Sequence, residues 1–197
     1  MKNLLLWGRG GHSRIVEEAA ELLGCFLAVH KGDDADNLYD GFGELPWDTS
    51  WEVHVAIGDN RARAEVTDRF TKAGYQLATI IHPRAFVSSS ATLGPGCYVG
   101  PMATVLARAK VGTGVIVNTT ASVDHDCVIN DFAHIAPGAH LCGTVHVGKR
   151  TLIAVGGVVV PKVTIGDDCI LGASSALVET IEGNGLKMWG IPARKVE

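Results

Sequence analysis

From Ile81 to Leu177 every sixth residue is Val, Ile or Leu, 17 positions without a break. The series runs Ile81, Val87, Leu93, Val99, Val105, Val111, Val117, Val123, Ile129 and on through Ile135, Leu141, Val147, Ile153, Val159, Ile165 and Leu171. The residue four places after each of the first 16 is small: Ala85, Ala91, Cys97, Ala103 and Ala109 open that second series, and Gly157, Val163, Cys169 and Ser175 close it. Helices repeat about every 3.6 residues and strands about every 2, so neither alone gives a strict period of six. This period predicts a parallel β-helix, with short strands stacked coil on coil. The aliphatic side chain points into the prism, where only a small residue fits beside it. Gly or Asn often follows the aliphatic residue, as at Gly94, Gly100, Gly112, Asn118, Asn130, Gly148, Gly166 and Gly172. Those positions are expected to take left-handed backbone at the corners.

The first 80 residues follow a different rhythm. Residues 3–8 read as a buried strand, and Gly8-Arg9-Gly10-Gly11-His12 as a glycine loop. Ser13 to Leu23 places Ile15, Val16, Ala19, Ala20, Leu22 and Leu23 at helical spacing and stops at Gly24. Cys25 to Val29 reads as a strand, 32–50 as a polar connection, and Glu52 to Ile57 as a third strand. Asp59 to Ala73 is a second amphipathic helix, stopped by Gly74, and Tyr75 to Ile80 a last strand. Strand–helix–strand alternation implies a small parallel sheet with helices on its faces. The division is an α/β Rossmann-like half-domain over 1–80 and an all-β parallel β-helix over 81–197, with His82-Pro83 at the boundary.

Composition narrows the class. The chain has 197 residues, 47% of them hydrophobic and 19% charged, as in ordinary globular proteins. A net charge of −4 argues against nucleic-acid binding, which calls for a basic face. The opening MKNLLLW is too short for the apolar part of a signal peptide, and no stretch approaches the ~18 apolar residues of a membrane helix. A cytoplasmic protein is expected. Of five cysteines, Cys97, Cys127 and Cys169 occupy the small slot of the repeat. They read as small hydrophobes, and with no CxxC present neither a disulfide framework nor a metal site is expected.

Two places carry candidate chemistry. A glycine loop between strand and helix suits phosphate: backbone N–H groups approach closely and the helix N-terminus adds partial positive charge. Gly10 and Gly11 supply that loop and His12 stands at the helix start, where it can donate to a phosphate oxygen. The third glycine of the dinucleotide fingerprint is replaced by Ser13. The other place is Val123-Asp124-His125-Asp126-Cys127, where the filler of the repeat turns acidic. His125 is expected to face outward. A His beside a carboxylate is a general-base pair, because the carboxylate fixes the tautomer and stabilises the imidazolium. Asp124 and Asp126 are both placed to do so. An acidic cluster at Asp33, Asp34 and Asp36 follows the second strand, and Gly58-Asp59-Asn60 the third. An acidic residue at such a strand end reads a ribose or base edge in nucleotide-binding folds. Asp34, Gly58 and Asn60 are therefore candidate nucleotide contacts.

The glycine-loop α/β segment, the unbroken hexapeptide array and the tail GIPARKV at 190–196 together resemble the bacterial nucleotide-sugar acetyltransferases of the left-handed β-helix superfamily. The nearest group N-acetylates UDP-4-amino-sugars, with sialic acid O-acetyltransferases and perosamine N-acetyltransferases beside it. The resemblance implies left-handed coils of three hexapeptides each, between five and six in all. It also implies a homotrimer, acetyl-CoA in a groove between neighbouring β-helices, and the nucleotide on the N-terminal domain. By the same resemblance His125 is the catalytic base, with Asp126 where the family carries Glu. Asn118 and His134 match polar positions lining the acceptor or acetyl-CoA pocket. Gly143, Val155, Gly156 and Ala173 match the stretch that meets the pantetheine arm, where a backbone N–H can stabilise the oxyanion. Ile191, Arg194 and Lys195 match the segment that closes over coenzyme A, the two cations meeting its phosphates. His140 and His146 read as surface residues.

The reaction implied is acetyl-CoA-dependent N-acetylation of a nucleotide-linked amino sugar, a UDP-4-amino-4,6-dideoxy-sugar first, in glycan assembly. The same His–Asp pair suits O-acetylation of a sugar hydroxyl. A non-catalytic β-helix scaffold is the third reading, opposed by the Asp-His-Asp stretch. A dehydrogenase fails on size and on Ser13. A metal-dependent hexapeptide enzyme of the carbonic anhydrase type is conceivable with eight His, but it needs ligands spaced across coils between subunits, and His125, His134, His140 and His146 show no clear three-ligand set.

Overall fold

A computed structural model describes residues 3–30 and 50–196. The N-terminal part is a four-stranded parallel sheet in the order β2-β1-β3-β4. Its elements are β1 (Asn3–Trp7), α1 (Gly11–Leu22), β2 (Phe26–His30), β3 (Glu52–Val55), α2 (Asn60–Lys72) and β4 (Gln76–Leu77). Alternation along β1 decides the layers. Leu4 and Leu6 face α1 and pack on Val16, Ala19 and Ala20, while Leu5 and Trp7 face α2 and pack on Val66 and Phe70. Leu22 and Leu23, expected on the buried face of α1, are 59% and 47% exposed. The helix also starts two residues early, at Gly11, with the Ser13 hydroxyl donating to the Gly10 carbonyl at 2.7 Å. Asp59 is the cap of α2 and not its first residue: its carboxylate accepts from the N–H groups of Arg61 and Ala62 at 3.1 and 2.8 Å.

The strand expected over Tyr75–Ile80 divides. Gln76–Leu77 pairs with Glu52–Val53 in the α/β sheet, whereas Ile80–Ile81 pairs with Tyr98–Val99 and opens the solenoid. The change of partner takes two residues: Ala78 N–H donates to Val53, and Ile80 N–H to Cys97.

The solenoid follows the period of six. Among the described residues each of the 17 aliphatic positions ends a two-residue parallel strand. The strands stack into three faces of six, six and five, about six turns in all. The first face includes Ile80–Ile81, Tyr98–Val99, Ile116–Val117, His134–Ile135, Leu152–Ile153 and Ile170–Leu171. The second runs from Phe86–Val87 through Ser122–Val123 and His140–Leu141 to Ala176–Leu177. The third runs from Thr92–Leu93 through Val128–Ile129 to Thr164–Ile165. An antiparallel hairpin, Lys187–Gly190 and Ala193–Val196, closes the C-terminal end against Ile170–Leu171. The aliphatic residues and their small neighbours, the three buried cysteines included, form one continuous core. Burial pushes the Cys97 thiol up to about 12.

The corner glycines follow a different rule from the one expected. From Leu93 to Leu171, left-handed backbone falls on the third residue after each aliphatic position, as at Met102, Arg108, Thr120, Asp126 and Gly156. Where Gly stands directly after the aliphatic position, the next coil lies close upon it. A Cβ at Gly94 would come within 2.7 Å of the Gly112 backbone, and one at Gly148 within 2.3 Å of Gly166.

Candidate active site

One corner of the prism carries His125. The residue follows Ser122–Val123, so it stands on the edge between the second and third faces. Its side chain is 54% exposed and its Nδ1 lies 2.8 Å from Asp126 Oδ2. Asp124 takes a different part: its Oδ1 accepts from the His125 backbone N–H at 2.6 Å. Asp126 therefore orients the ring and Asp124 orients the peptide. With Nδ1–H given to the carboxylate, Nε2 is the basic nitrogen.

Asp126 sits at the left-handed corner, φ 59°. One coil earlier, 18 residues before it, Arg108 donates from Nε to Oδ1 at 2.7 Å and from Nη2 to Oδ2 at 2.9 Å. This two-point grip, and then His125, hold the Asp126 carboxyl well below the usual carboxylate range. Arg108, Asp126 and His125 thus form a chain of hydrogen bonds along the edge. One coil later, Gly143 lies beneath the ring. A Cβ there would stand 2.5 Å from His125 Nε2 and 2.6 Å from Cε1. The absence of a side chain at Gly143 is what allows the imidazole to lie over the coil.

A second group lies where the α/β sheet meets the first face. Asn118 is buried; its Nδ2 meets His134 Nε2 at 3.1 Å, and its Oδ1 accepts from Thr119 N–H at 2.8 Å. The Gly58 backbone hydrogen-bonds the same imidazole. Burial, and then the charge of Arg63, lower the His134 pKa to about 4, so the ring is neutral near pH 7. His12, expected to aim at a phosphate, packs edge-on against Tyr98 at 5.3 Å and faces His134 at 6.4 Å between ring centroids. Its Nε2 is buried with no hydrogen-bond partner among the described residues. Burial, then His54, His134 and Arg63, hold it well below the usual histidine value. His54 behaves alike: burial lowers it to about 4, and its Nδ1 meets the Ala78 carbonyl at 2.8 Å. Asn60 is committed at both ends, Oδ1 accepting from Arg63 at 2.8 Å and Nδ2 donating to the Arg150 carbonyl at 2.9 Å. Beside it opens a cleft of about 380 Å³, lined by Gly58, Asn60, Arg61, His134, Arg150 and Lys187 among others.

The remaining candidates spread along the solenoid. Val155, Gly156 and Ala173 follow first-face strands, so they stand with Asn118 on the edge between the first and second faces. His125 and Gly143 stand on the next edge. A single chain does not bring the two sets together. Val155 and Ala173 are exposed, as is Ile191 at 78%. Arg194 pairs with Glu179 at 3.1 Å, and Lys195 is exposed on the closing hairpin. Gly10 and Gly11 are exposed at the start of α1. Asp34 lies outside the described residues.

Comparison with known proteins places this arrangement. The family model of the PglD N-terminal domain matches residues 3–70. The structure of PerB from Caulobacter crescentus, in complex with CoA and GDP-perosamine, is 33% identical with a TM-score of 0.90, covering 100% of this chain and 98% of the other. The acetyltransferase domain of PglB from Neisseria gonorrhoeae FA1090, in complex with acetyl coenzyme A, is 34% identical with a TM-score of 0.89 and covers 100% of both chains. The chain belongs to the hexapeptide-repeat β-helix family of nucleotide-sugar acetyltransferases. A curated member, the GDP-perosamine N-acetyltransferase of Escherichia coli O157:H7, is 30% identical over 106 residues, 54% of this chain and 48% of that one. The chain thus spans about half the length of that relative.

Within this family frame two residues stand out that the linear sequence did not single out. Arg108 was readable in principle, since 18 residues is one full coil and a cation at that offset from Asp126 must lie beside it. Arg63 had no such signal: beside its near partners it reaches Gly114 and Phe132, 51 and 69 residues away.

Proposed function

We propose that the chain transfers the acetyl group of acetyl-CoA to the amine of a nucleotide-linked amino sugar, with His125 as general base. The observation that carries the reading is the His125 corner: Nδ1 tied to an ionised Asp126, Nε2 standing over the bare backbone of Gly143. The neutral sugar amine attacks the thioester carbonyl, forming the C–N bond. His125 Nε2 takes the proton the nitrogen sheds, and Asp126 stabilises the imidazolium that results. The backbone N–H at Gly143 meets the oxyanion. The tetrahedral adduct collapses with loss of the C–S bond, and the coenzyme A thiolate leaves and is protonated. The structures of PerB with CoA and GDP-perosamine and of the PglB domain with acetyl coenzyme A support this class of substrates. They make a GDP-linked amino sugar the first acceptor to assay, beside the UDP-linked 4-amino-4,6-dideoxy-sugar.

A homotrimer fits this reading. The base stands on one edge of the prism and Val155, Gly156 and Ala173 on another, so a neighbouring copy is needed to bring the thioester to His125. Ile191, Arg194 and Lys195, on and next to the closing hairpin, are assigned to coenzyme A. Gly10, Gly11, His12 and Gly58 are assigned to the acceptor side. Cytoplasmic action accords with acetyl-CoA as donor; among the described residues no helix is long and apolar enough to cross a membrane. The test is acetyl transfer to GDP-, UDP- and dTDP-linked amino sugars by folded protein. Turnover with one of them is expected. No turnover with any, in protein that binds acetyl-CoA, overturns the activity.

A further inference from the structure

Arg63 is 1% exposed, one of the largest fully buried side chains in the molecule. Burial lowers its pKa to about 10, which leaves it cationic near neutral pH. Its guanidinium is met almost wholly by neutral oxygens. Nη1 donates to the carbonyls of Ile57 and Gly58 at 2.9 and 3.1 Å. Nε donates to Gly114 at 2.8 Å. Nη2 donates to Phe132 at 2.7 Å and to Asn60 Oδ1 at 2.8 Å. Desolvating a cation costs several kcal/mol, and an apolar plug of similar volume often packs as well. What a plug cannot do is hold five acceptors in the one plane of a guanidinium fork.

The acceptors belong to three separate segments: the turn after β3, one coil of the solenoid, and the coil above it. Gly58 and Asn60 are two of these acceptors, and His134 follows directly on the Phe132–Ala133 segment. Gly58 also hydrogen-bonds His134, so the turn and the coil are tied twice. We propose that Arg63 is a positioning residue for the cleft between the α/β sheet and the first face. It fixes the Ile57–Asn60 turn against the coil that carries His134, so that both walls keep one spacing. This rests on the reading of the cleft as the acceptor side of an acetyltransferase. Arg63 touches no substrate; it acts through Gly58, Asn60 and His134.

The test compares Arg63→Lys and Arg63→Ala with the parent protein in three measurements. In ligand-free protein, the imidazole nitrogen resonances of His134 are expected to change in both variants, because the Gly58 contact loosens. In turnover, kcat/KM is expected to fall about 10²-fold, the cost of a misplacement of roughly an ångström. Added guanidinium is expected to restore part of the rate of Arg63→Ala and none of the rate of Arg63→Lys. Parent-like kinetics and His134 resonances, with only a lowered Tm, would reduce Arg63 to a structural plug and overturn the proposal. Should neither variant fold, the parent protein decides: the Arg63 Nε–H must exchange slowly with solvent, and fast exchange overturns the proposal. The His134 resonances need no substrate. A chain inactive on every sugar whose Arg63 variants still shift them would lose the activity assignment and keep the positioning role.

Discussion

Two groups of histidines divide the molecule by solvent. At the outer corner, His125 is half exposed and set among ions, with Asp126 beside it and Arg108 behind that carboxylate. In the seam between the α/β sheet and the first face, His12, His54 and His134 surround the buried cation of Arg63, and burial lowers all three. The first arrangement suits a group that must gain and lose a proton in every cycle. The second suits groups that must stay neutral, so that each ring keeps a fixed donor and a fixed acceptor. The imidazole is the same in both; only the surroundings differ, ionic and open at the corner, dry in the seam.

The sharpest break of that contrast is His125→Ala. Loss of a general base costs about 10²–10⁴ in kcat, and at an exposed corner the Tm should hardly move. Steady-state kinetics and a melting curve check both. A variant with near-parental kcat would return the corner to ordinary surface. Next comes Gly143→Ala. The new methyl would occupy the space of the His125 ring, so the ring must turn away from its line. Since misplacement of the reacting group by about 1 Å can cost 10²-fold, kcat is expected to fall by about that much, with the coil intact by circular dichroism.

The buried group answers to pH through stability. His54 is lowered from the ordinary 6.5 to about 4. Between those values the unfolded chain binds a proton that the folded chain refuses. The sign is therefore fixed: the contribution is fully present above about pH 6.5 and is lost as pH falls toward 4, amounting to about 3 kcal/mol for a shift of that size. His54→Gln keeps a donor for the Ala78 carbonyl and removes the titration. The Tm of the parent should drop between pH 6.5 and 4 more steeply than that of the variant. Parallel curves would show that the ring already titrates in the folded state.

The period of six foretold the solenoid residue by residue, because Val, Ile or Leu at each sixth position and a small residue four places on are what a narrow prism admits. That a carboxylate would meet the His125 ring was legible for a related reason: Asp124 and Asp126 are both its neighbours in sequence, and only the structure assigns the ring to Asp126 and the backbone N–H to Asp124. The role of Gly143 was only half legible. Its likeness to donor-site residues marked it, but that it carries the His125 ring required the coil-on-coil register. The corner glycines were misread because freedom of φ and absence of a Cβ favour the same residue, and here close stacking decides. The seam was illegible. Arg63, Asn118, His134 and His12 come from segments that no local pattern joins, and Arg63 meets Gly114 and Phe132 only because α2 lies against the solenoid.

The smallest expected effect is at Arg108, and its direction is informative. The Arg108–Asp126 pair is exposed, so its removal should leave the Tm unchanged. Two consequences for His125 oppose each other in Arg108→Ala. Asp126 loses the grip that aims its carboxylate, which lowers kcat. It also no longer shares its charge with a guanidinium, so the imidazolium is better stabilised. The two effects partly cancel, so kcat should fall by less than about tenfold. Arg108→Lys, a single point charge in place of a fork, should lose the aim yet keep the shared charge, and so fall further than Arg108→Ala; steady-state kinetics of the two variants check this. Equal losses in both would mean that Arg108 only aims Asp126. Parent-like kcat in both would mean that the His125–Asp126 contact holds its geometry unaided.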